Sequence, residues 1–239
     1  MVGGYGYIKM MEDIERNFYD YIRKPSLSLL HIFLGGFSLC ASFSPSRDCM
    51  WGIQNFIERK YLGGQRTTRH YLEIINSHHF CEKEAFYKYF ELFKEFLKEK
   101  NNSPSTISSE INLPPETNDP FKGLTLDEIY YWTLGYMRIR PGVYFLDVPC
   151  IRNLEAFLSG FHICATKNKL TFNPHQDFDL FVKKRYGYDE SGNEFDALSK
   201  HHTSEEAFHE FFKLLGEFLT DNDKGRCKEL YDLRSRKRE

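Results

Sequence analysis

Two stretches of the sequence are related: residues 84–97 read EAFYKYFELFKEFL and residues 206–219 read EAFHEFFKLLGEFL. In both, apolar side chains recur at the spacing i, i+3, i+4, i+7, i+10 and i+11, which draws one stripe along an α-helix. Six pairs share this spacing at an offset of 122 residues: Phe86 and Phe208, Tyr89 and Phe211, Phe90 and Phe212, Phe93 and Leu215, Phe96 and Phe218, and Leu97 and Leu219. Each stretch therefore predicts a long helix whose aromatic stripe faces a core.

Three further landmarks recur upstream of these stretches, in the same order in both parts of the chain. The pairs are the motif Leu-x-x-Phe-Leu-x-Gly-Phe at residues 30–37 and 154–161, an aromatic-basic segment at residues 56–61 and 181–186, and a proline that follows basic residues, Pro25 and Pro141. The ordered recurrence predicts an all-α fold made of two tandem, internally duplicated helical domains that pack as a pseudo-two-fold bundle.

The composition along the chain divides these domains. Residues 1–97 are the first copy and residues 121–223 are the second. Residues 98–120 are polar, rich in Ser, Asn and Pro, and without periodicity, which is typical of a linker. Residues 224–239 form a basic C-terminal tail. The 239 residues, 41% of them apolar, are enough to enclose one large core or two small ones.

Several residues indicate where helices begin and end. Thr125 with Glu128, and Thr203 with Glu206, have the spacing of a capping box, in which each side chain bonds the other residue's backbone N–H. Pro25 disfavours helix for the residue before it, as does Pro141. We therefore expect the opening helix of each copy to stop at its proline.

Gly36 and Gly160 occupy matching places inside apolar helical patterns. Glycine costs about 1 kcal/mol relative to Ala in a helix interior, so a matching cost in both copies suggests that another helix approaches closely there. The alternative is that these glycines simply end their helices, because glycine is the preferred residue after a helix C-terminus.

The sequence also bears on the cellular compartment. No basic segment followed by an apolar run and small residues opens the chain, and the longest apolar run, residues 29–41, is too short to span a bilayer. The six cysteines form no CxxC pair. We therefore expect a cytoplasmic protein with reduced thiols and no membrane association. Cys40 and Cys164 occupy matching places, which favours small buried apolar roles for both.

Charge is distributed unevenly between the two copies. Residues 1–97 carry 12 basic and 11 acidic side chains, whereas residues 121–223 carry 11 basic and 16 acidic ones. The excess acid lies around the aromatic-basic helix of the second copy and in the sequence GYDESGNEFD that follows it. An acidic loop with aromatic residues suits capture of a basic partner; the alternative is a solvated loop that only maintains solubility. The candidate partner-binding residues are Asp177, Asp179, Tyr188, Asp189, Glu190, Glu194, Phe195 and Asp196.

Catalytic and metal-binding signatures are weak. The dipeptides His78-His79 and His201-His202 could be acid–base pairs or metal ligands, but adjacent side chains point apart on a helix or a strand. No zinc-protease motif, cysteine pair or phosphate-binding glycine loop accompanies them. A histidine–cysteine nucleophile pair has no local support in the sequence. We therefore predict no catalytic residue, no cofactor and no metal.

The basic tail suggests a different function. Arg234, Arg236, Lys237 and Arg238 lie close together and could bind nucleic acid through phosphates. A short disordered tail with nonspecific contacts is the competing interpretation. A nucleic-acid-binding or regulatory protein is therefore the alternative to a protein-binding function.

The second copy contains an ordered set of motifs: Arg140-Pro141-Gly142-Val143-Tyr144, the segment from Leu154 to Phe161, the segment from Phe181 to Tyr186, and the segment from Glu206 to Leu214. This set resembles small helical bacterial proteins of polymorphic toxin systems, in particular an immunity protein of a contact-dependent growth inhibition system. The first copy matches more loosely, because Lys24-Pro25-Ser26 replaces Arg-Pro-Gly and no aligned Tyr follows.

The resemblance implies a cytoplasmic protein without enzymatic activity that binds a cognate toxin domain and blocks its active site. The toxin it implies is a nuclease acting on RNA or DNA, and an EndoU-type RNase is the specific candidate. Because nuclease sites hold phosphates and are basic, an acidic inhibitor surface would mimic the charge of the substrate.

Overall fold

In its described residues, the first half of the molecule contains five α-helices. In this computed structural model the described residues are 6–41, 52–102, 121, 123–145, 149–170, 172, 174–188, 192–222 and 224–232. The helices of the first half are α1 (Tyr7–Arg16), α2 (Leu27–Ala41), α3 (Ile53–Leu62), α4 (Tyr71–Ser77) and α5 (Glu82–Asn102), with a 3₁₀ turn at Phe18–Asp20 after α1.

The described residues of the second half begin with the same order of elements, a helix, a 3₁₀ turn and four further helices, and end with one additional helix. Its helices are α6 (Leu126–Ile139), α7 (Ile151–Lys167), α8 (Pro174–Tyr186), α9 (Glu194–His201), α10 (Ser204–Asp221) and α11 (Gly225–Asp232), with a 3₁₀ turn at Pro141–Val143 after α6. No β-strand occurs in the described ranges. The all-α prediction is confirmed.

The aromatic stripes of α5 and α10 face the core, as the sequence predicts. Eleven of the twelve stripe residues are buried, and Leu97 is partly buried against the same core. The ring geometry is also similar in the two helices. The ring centroids of Phe86 and Phe90 are 5.1 Å apart with an interplanar angle of 75°, and those of Phe208 and Phe212 are 4.9 Å apart with an angle of 70°. Edge-to-face contacts of this kind stabilise the fold beyond the contribution from the burial of apolar surface.

The two halves meet mainly through α2 and α7, the most extensive helix–helix contact of the described residues. A Cβ on Gly36 would overlap the backbone carbonyl oxygen of Phe157, and a Cβ on Gly160 would overlap that of Phe33. Both glycines lie inside their helices. The expected close approach of another helix is therefore confirmed, and the alternative that these glycines end their helices is wrong. Cys40 and Cys164, each one turn further along, are both fully buried, as predicted.

Pro25 does not end the opening helix of the first half, and this expectation is wrong. α1 stops at Arg16, and its last turn closes with the N–H of Asn17 donating to the Asp13 carbonyl. In the second half, α6 runs to Ile139 and Pro141 starts the 3₁₀ turn. Pro141 thus acts as predicted, whereas Pro25 stands nine residues beyond the end of α1.

Pro149 stands shortly before α7, as Pro25 stands shortly before α2. Pro25 precedes Ser26, whose hydroxyl accepts the N–H of Leu29 at 3.3 Å at the start of α2. Pro149 precedes Cys150, whose sulfur accepts the N–H of Asn153 at 3.4 Å at the start of α7. In both halves the proline therefore introduces the second helix instead of stopping the first.

The first half also has the tyrosine that the sequence comparison leaves unaligned. Tyr21 follows the first 3₁₀ turn, and its ring meets Phe33 edge to face at 5.9 Å and 89°. Tyr144 follows the second 3₁₀ turn and meets Phe157 at 5.6 Å and 87°. Both halves thus contain a Tyr–Phe edge-to-face contact after the 3₁₀ turn. The two tyrosines do not align when Pro25 is matched with Pro141.

The region expected to be a basic tail begins with a packed helix. α11 lies against α6 and α10, and Tyr231 is fully buried, its hydroxyl donating to the Phe212 carbonyl oxygen at 2.7 Å. Gly135 of α6 makes room for it, since a Cβ there would overlap the Tyr231 carbonyl oxygen. Residues 225–232 therefore belong to the second half, and Arg234, Arg236, Lys237 and Arg238 lie outside the described residues.

Candidate functional site

The start of α8 carries part of the predicted acidic surface. Asp177 is two-thirds exposed and lies 3.9 Å from Lys224. Asp179 is largely shielded and pairs with Lys183 at 2.9 Å, one turn further along the helix. Both carboxylates of α8 therefore have a lysine within 4 Å, and Asp177 is the more exposed of the two.

An apolar side chain that the sequence-based set omitted accompanies Asp177. Leu180 follows three residues later, on the same face of α8, and 65% of its surface is exposed. The sequence analysis does not single this residue out, and its exposure follows from the packing of the described residues. Single exposed leucines are common on protein surfaces, and this one lies three residues from an exposed carboxylate.

The segment after α8 is only partly described. Tyr188 is partly buried, and the ammonium group of Lys200 lies 4.6 Å from its ring centroid. Asp189 and Glu190 lie outside the described residues. Tyr188 thus connects the end of α8 to α9, and the two carboxylates remain sequence-based candidates.

Glu194, Phe195 and Asp196 belong to a helix and not to an exposed loop, which corrects that expectation. Asn193 and Asp196 form a capping box at the start of α9, with Asn193 Oδ1 accepting the Asp196 N–H at 3.1 Å. Glu194 is fully buried, and Phe195 stacks on Phe211 at 5.5 Å and 8°. Neither residue is available to a partner in this conformation.

Asp196 instead joins an ionic network between the two halves. Arg23 donates to Glu155 at 2.6 Å and lies 2.8 Å from Asp196. Arg152 pairs with the same two carboxylates, at 2.8 Å and 3.5 Å. Asn193 adds a hydrogen bond to Glu155 at 3.3 Å. Glu155 is nearly buried, and these contacts compensate for its loss of water.

The network borders a cleft of about 650 Å³ between the halves. Residues 19–24 and the first turn of α2 form one wall, the first turns of α7 form another, and Glu82 at the start of α5 contributes to the lining. The side chains of Ser26 and Ser28 both donate to the Glu82 carboxylate. Volumes of this size are typical of ligand and loop-binding sites at domain interfaces.

The paired histidines occupy equivalent places and contact equivalent tyrosines. Tyr61 lies 3.3 Å from Nε2 of His79, and Tyr186 lies 3.0 Å from Nε2 of His202. Each tyrosine ring also lies close to the other histidine of its pair, at 4.8 Å from His78 and 5.0 Å from His201. These contacts tie α3 to the α4–α5 connection and α8 to the α9–α10 connection. In the described part of the chain, no group of three His, Cys, Asp or Glu side chains is placed to hold a metal ion.

Another histidine pair lies in a second pocket of about 570 Å³ in the first half. The rings of His31 and His70 are 4.7 Å apart, and burial, followed by the proximity of His70, lowers the pKa of His31 to about 4. His70 Nδ1 accepts the N–H of Leu72 at the start of α4. That ring nitrogen is therefore engaged in helix capping, and the two rings form a partly buried contact.

The basic residues of α11 are engaged within the protein. Arg226 pairs with Glu128 at 2.8 Å, and Lys228 pairs with Asp232 one turn away. Lys224, just before the helix, has Asp177 as its nearest carboxylate. These three cations are partly neutralised, which leaves the nucleic-acid alternative resting on Arg234 and the residues after it.

Comparison of the chain with protein-family models, with curated proteins and with solved structures found no match. Within the ranges that the structure describes, no helix has both the length and the apolar character needed to cross a bilayer.

Proposed function

We propose that this chain is a non-enzymatic immunity protein that acts in the cytoplasm by binding a cognate toxin domain and covering its active site. The toxin is a nuclease in this proposal, with an EndoU-type RNase as the specific candidate. The observation that carries the proposal is that Asp177 and Leu180, three residues apart on one face of α8, are both exposed. The motif resemblance of the second half adds to it.

The chemistry of that face matches a phosphate-binding enzyme. A nuclease site is basic because it holds a polyanion, so carboxylates on an inhibitor provide complementary charge and speed encounter. Leu180 would add apolar surface that the partner covers, next to the charge of Asp177. Asp189 and Glu190, which follow α8 in the sequence, extend the acidic character of this region.

The experiment is a binding and inhibition assay with the toxin domain encoded beside this chain's gene. We expect a one-to-one complex and loss of nuclease activity once the chain is present in an amount equimolar to the toxin domain. Asp177→Lys combined with Leu180→Ala should weaken the complex by at least about tenfold, since each removes one kind of interface contact. Lys213→Glu on the exposed face of α10 is the matched control for a charge change. A purified pair that forms no complex contradicts the proposal.

We also propose that the two halves descend from one helical unit and pack about a pseudo-two-fold axis between α2 and α7. Reciprocal glycine contacts, equivalent helix order and equivalent ring pairs support this history. A chimera in which residues 84–97 replace residues 206–219 tests it. If the helices are copies in equivalent surroundings, the chimera should fold cooperatively, whereas a chimera that does not fold speaks against equivalence of the two sites.

A further inference from the structure

Cys40 of α2 and Cys164 of α7 meet at the contact between the two halves. Gly36 and Gly160, one turn earlier in each helix, bring the two backbones together. Residues four apart lie on the same face of an α-helix, so each cysteine projects from the face that carries its glycine. The two thiols are hydrogen-bonded to each other. Because Gly36 adjoins residues 157–161 and Cys40 adjoins Cys164, the two helices run in the same direction through this contact.

Both thiols are enclosed by the protein, and their surroundings distinguish them. Cys40 and Cys164 are each 0% exposed, and both carry free thiols. Asn168, one turn after Cys164, donates from Nδ2 to the Cys164 sulfur at 3.5 Å. The hydrogen bond from Cys40, and then that from Asn168, lowers the pKa of the Cys164 thiol against the effect of burial. The bond to Cys164, and then burial, raise the pKa of the Cys40 thiol. Cys164 is therefore the more nucleophilic sulfur of the pair.

We propose that Cys40 and Cys164 form a thiol–disulfide switch that a peroxide closes, a thiol reductant opens, and that locks α2 to α7. A disulfide requires Cα atoms about 4.4–6.8 Å apart, and two helices whose backbones touch one turn away are held at short separation. The bond joins the two halves covalently at their most extensive contact. The inference does not depend on the toxin-binding function, because α8 takes no part in it.

The reaction has two steps, and hydrogen peroxide is the oxidant. In the first, the Cys164 sulfur attacks one peroxide oxygen, the O–O bond breaks, and the other oxygen leaves as water with the thiol proton. Cys164 is then a sulfenic acid. In the second, the Cys40 sulfur attacks the Cys164 sulfur, and the hydroxyl group leaves as a second water with the Cys40 proton. The two thiols thus lose two electrons and two protons, and the peroxide is reduced to water.

The burial of the pair determines both the rate and the consequence of oxidation. Peroxide reaches the two sulfurs only when the α2–α7 contact opens, so the pair reacts more slowly than Cys81, which is exposed. The disulfide closes a loop from residue 40 to residue 164. A long closed loop removes conformational freedom from the unfolded chain. The oxidised protein is therefore more stable than the reduced one.

The test uses a full-length variant that keeps only these two thiols, with serine at the four other cysteine positions: Cys49, Cys81, Cys150 and Cys227. The variant is treated with hydrogen peroxide, unfolded in urea with an alkylating reagent, digested and analysed by mass spectrometry. We expect a peptide pair linked through Cys40 and Cys164 in the monomeric protein, and its loss after treatment with dithiothreitol. The transition temperature of the oxidised protein should rise by about 5 °C or more.

Cys164→Ala in the same background is the matched control, because it keeps Cys40 and removes only its partner. It should form no disulfide within the chain, and peroxide should not raise its transition temperature. Peptide mapping of the unaltered protein is the second measurement, which applies even where the serine variant does not fold. In that protein Cys81 should be oxidised before the linked peptide pair appears.

The outcomes decide the inference in either direction. A link within one chain, together with a higher transition temperature, supports the switch. If Cys40 and Cys164 are both still alkylated when Cys81 of the unaltered protein is fully oxidised and exposure has continued overnight, the switch is overturned. A link that forms only between two chains overturns it as well. If the link forms within one chain without raising the transition temperature, the disulfide strains the contact and does not lock it.

Discussion

Gly36 of α2 lies against the backbone carbonyl of Phe157 in α7 so closely that no Cβ fits between them. Gly160 has the same relationship to Phe33. The backbones of the two helices are therefore in direct contact at this crossing. The packing of the two halves depends on the absence of a Cβ atom at both glycines.

We expect Gly36→Ala and Gly160→Ala to destabilise the protein by similar amounts, more than about 3 kcal/mol each. The intrinsic gain in helix propensity of about 1 kcal/mol is outweighed, because the added methyl group meets backbone that cannot rotate away. Urea unfolding followed by circular dichroism gives the difference. Gly142→Ala is the control, since a Cβ there has no heavy atom within 4 Å. Equal stability of Gly36→Ala and the unaltered protein would contradict the close approach.

These glycines also show what the sequence is able to predict. A glycine in an apolar helical pattern leaves two explanations open, and the recurrence at matching places favoured the correct one. The long helices with strict periodicity, α5 and α10, were predictable for the same reason: many residues repeat one pattern. Capping residues are local signals as well, and Thr125 at the start of α6 and Thr203 at the start of α10 form the predicted capping boxes.

The predictions from the sequence are wrong where tertiary contacts determine the helix boundaries or the burial of a side chain. The sequence pattern pairs Pro25 with Pro141 because both follow basic residues, whereas in the structure Pro25 and Pro149 each stand shortly before a long helix, and no basic residue immediately precedes Pro149. Glu194 looked like part of an acidic loop, yet a capping box draws it into α9 and the core closes over it. Tyr231 stands among charged residues in the sequence, and it is buried because α11 packs on α6 and α10, where Gly135 leaves room for the Tyr231 backbone. Charge and short motifs alone do not reveal such packing.

The stripe of α10 provides a direct test of the core. Phe212 is 2% exposed and contacts the rings of Phe208 and Phe211. We expect Phe212→Ala to cost about 3–5 kcal/mol of unfolding free energy, the usual range for a buried phenylalanine. Thermal or urea unfolding measures it. Leu180→Ala, on the exposed face of α8, should change stability by less than about 0.5 kcal/mol. Near-normal stability of Phe212→Ala would mean that the stripe does not face a core.

Tyr231 tests whether α11 belongs to the fold. Its hydroxyl donates to the Phe212 carbonyl oxygen, so Tyr231→Phe should lose about 1 kcal/mol for one buried hydrogen bond. Tyr231→Ala should lose about 3–5 kcal/mol, because the ring is fully buried. Tyr87→Phe, at a partly exposed hydroxyl, is the control. If all three variants unfold at the same urea concentration, the last helix contributes nothing to stability.

The pH dependence of stability follows from His31. Burial, and then the neighbouring His70, lower its pKa from 6.5 to about 4 in the folded protein. Between these two values the unfolded chain binds the proton and the folded chain does not, so folding is favoured at pH 7 and loses stability as the pH falls. At pH 5 the loss is about 2 kcal/mol relative to pH 7. Urea unfolding at the two pH values measures it.

Substitution separates His31 from the other groups that titrate in this range. His31→Gln keeps a polar side chain of similar size and removes the titration, so the decrease in stability between pH 7 and pH 5 should shrink by about 2 kcal/mol. His70 also has a lowered pKa, caused mainly by burial, and it contributes with the same sign in both proteins. His209→Gln at an exposed position of α10 is the matched control and should keep the full decrease. If His31→Gln and His209→Gln lose the same stability on acidification, His31 is not held neutral by its surroundings.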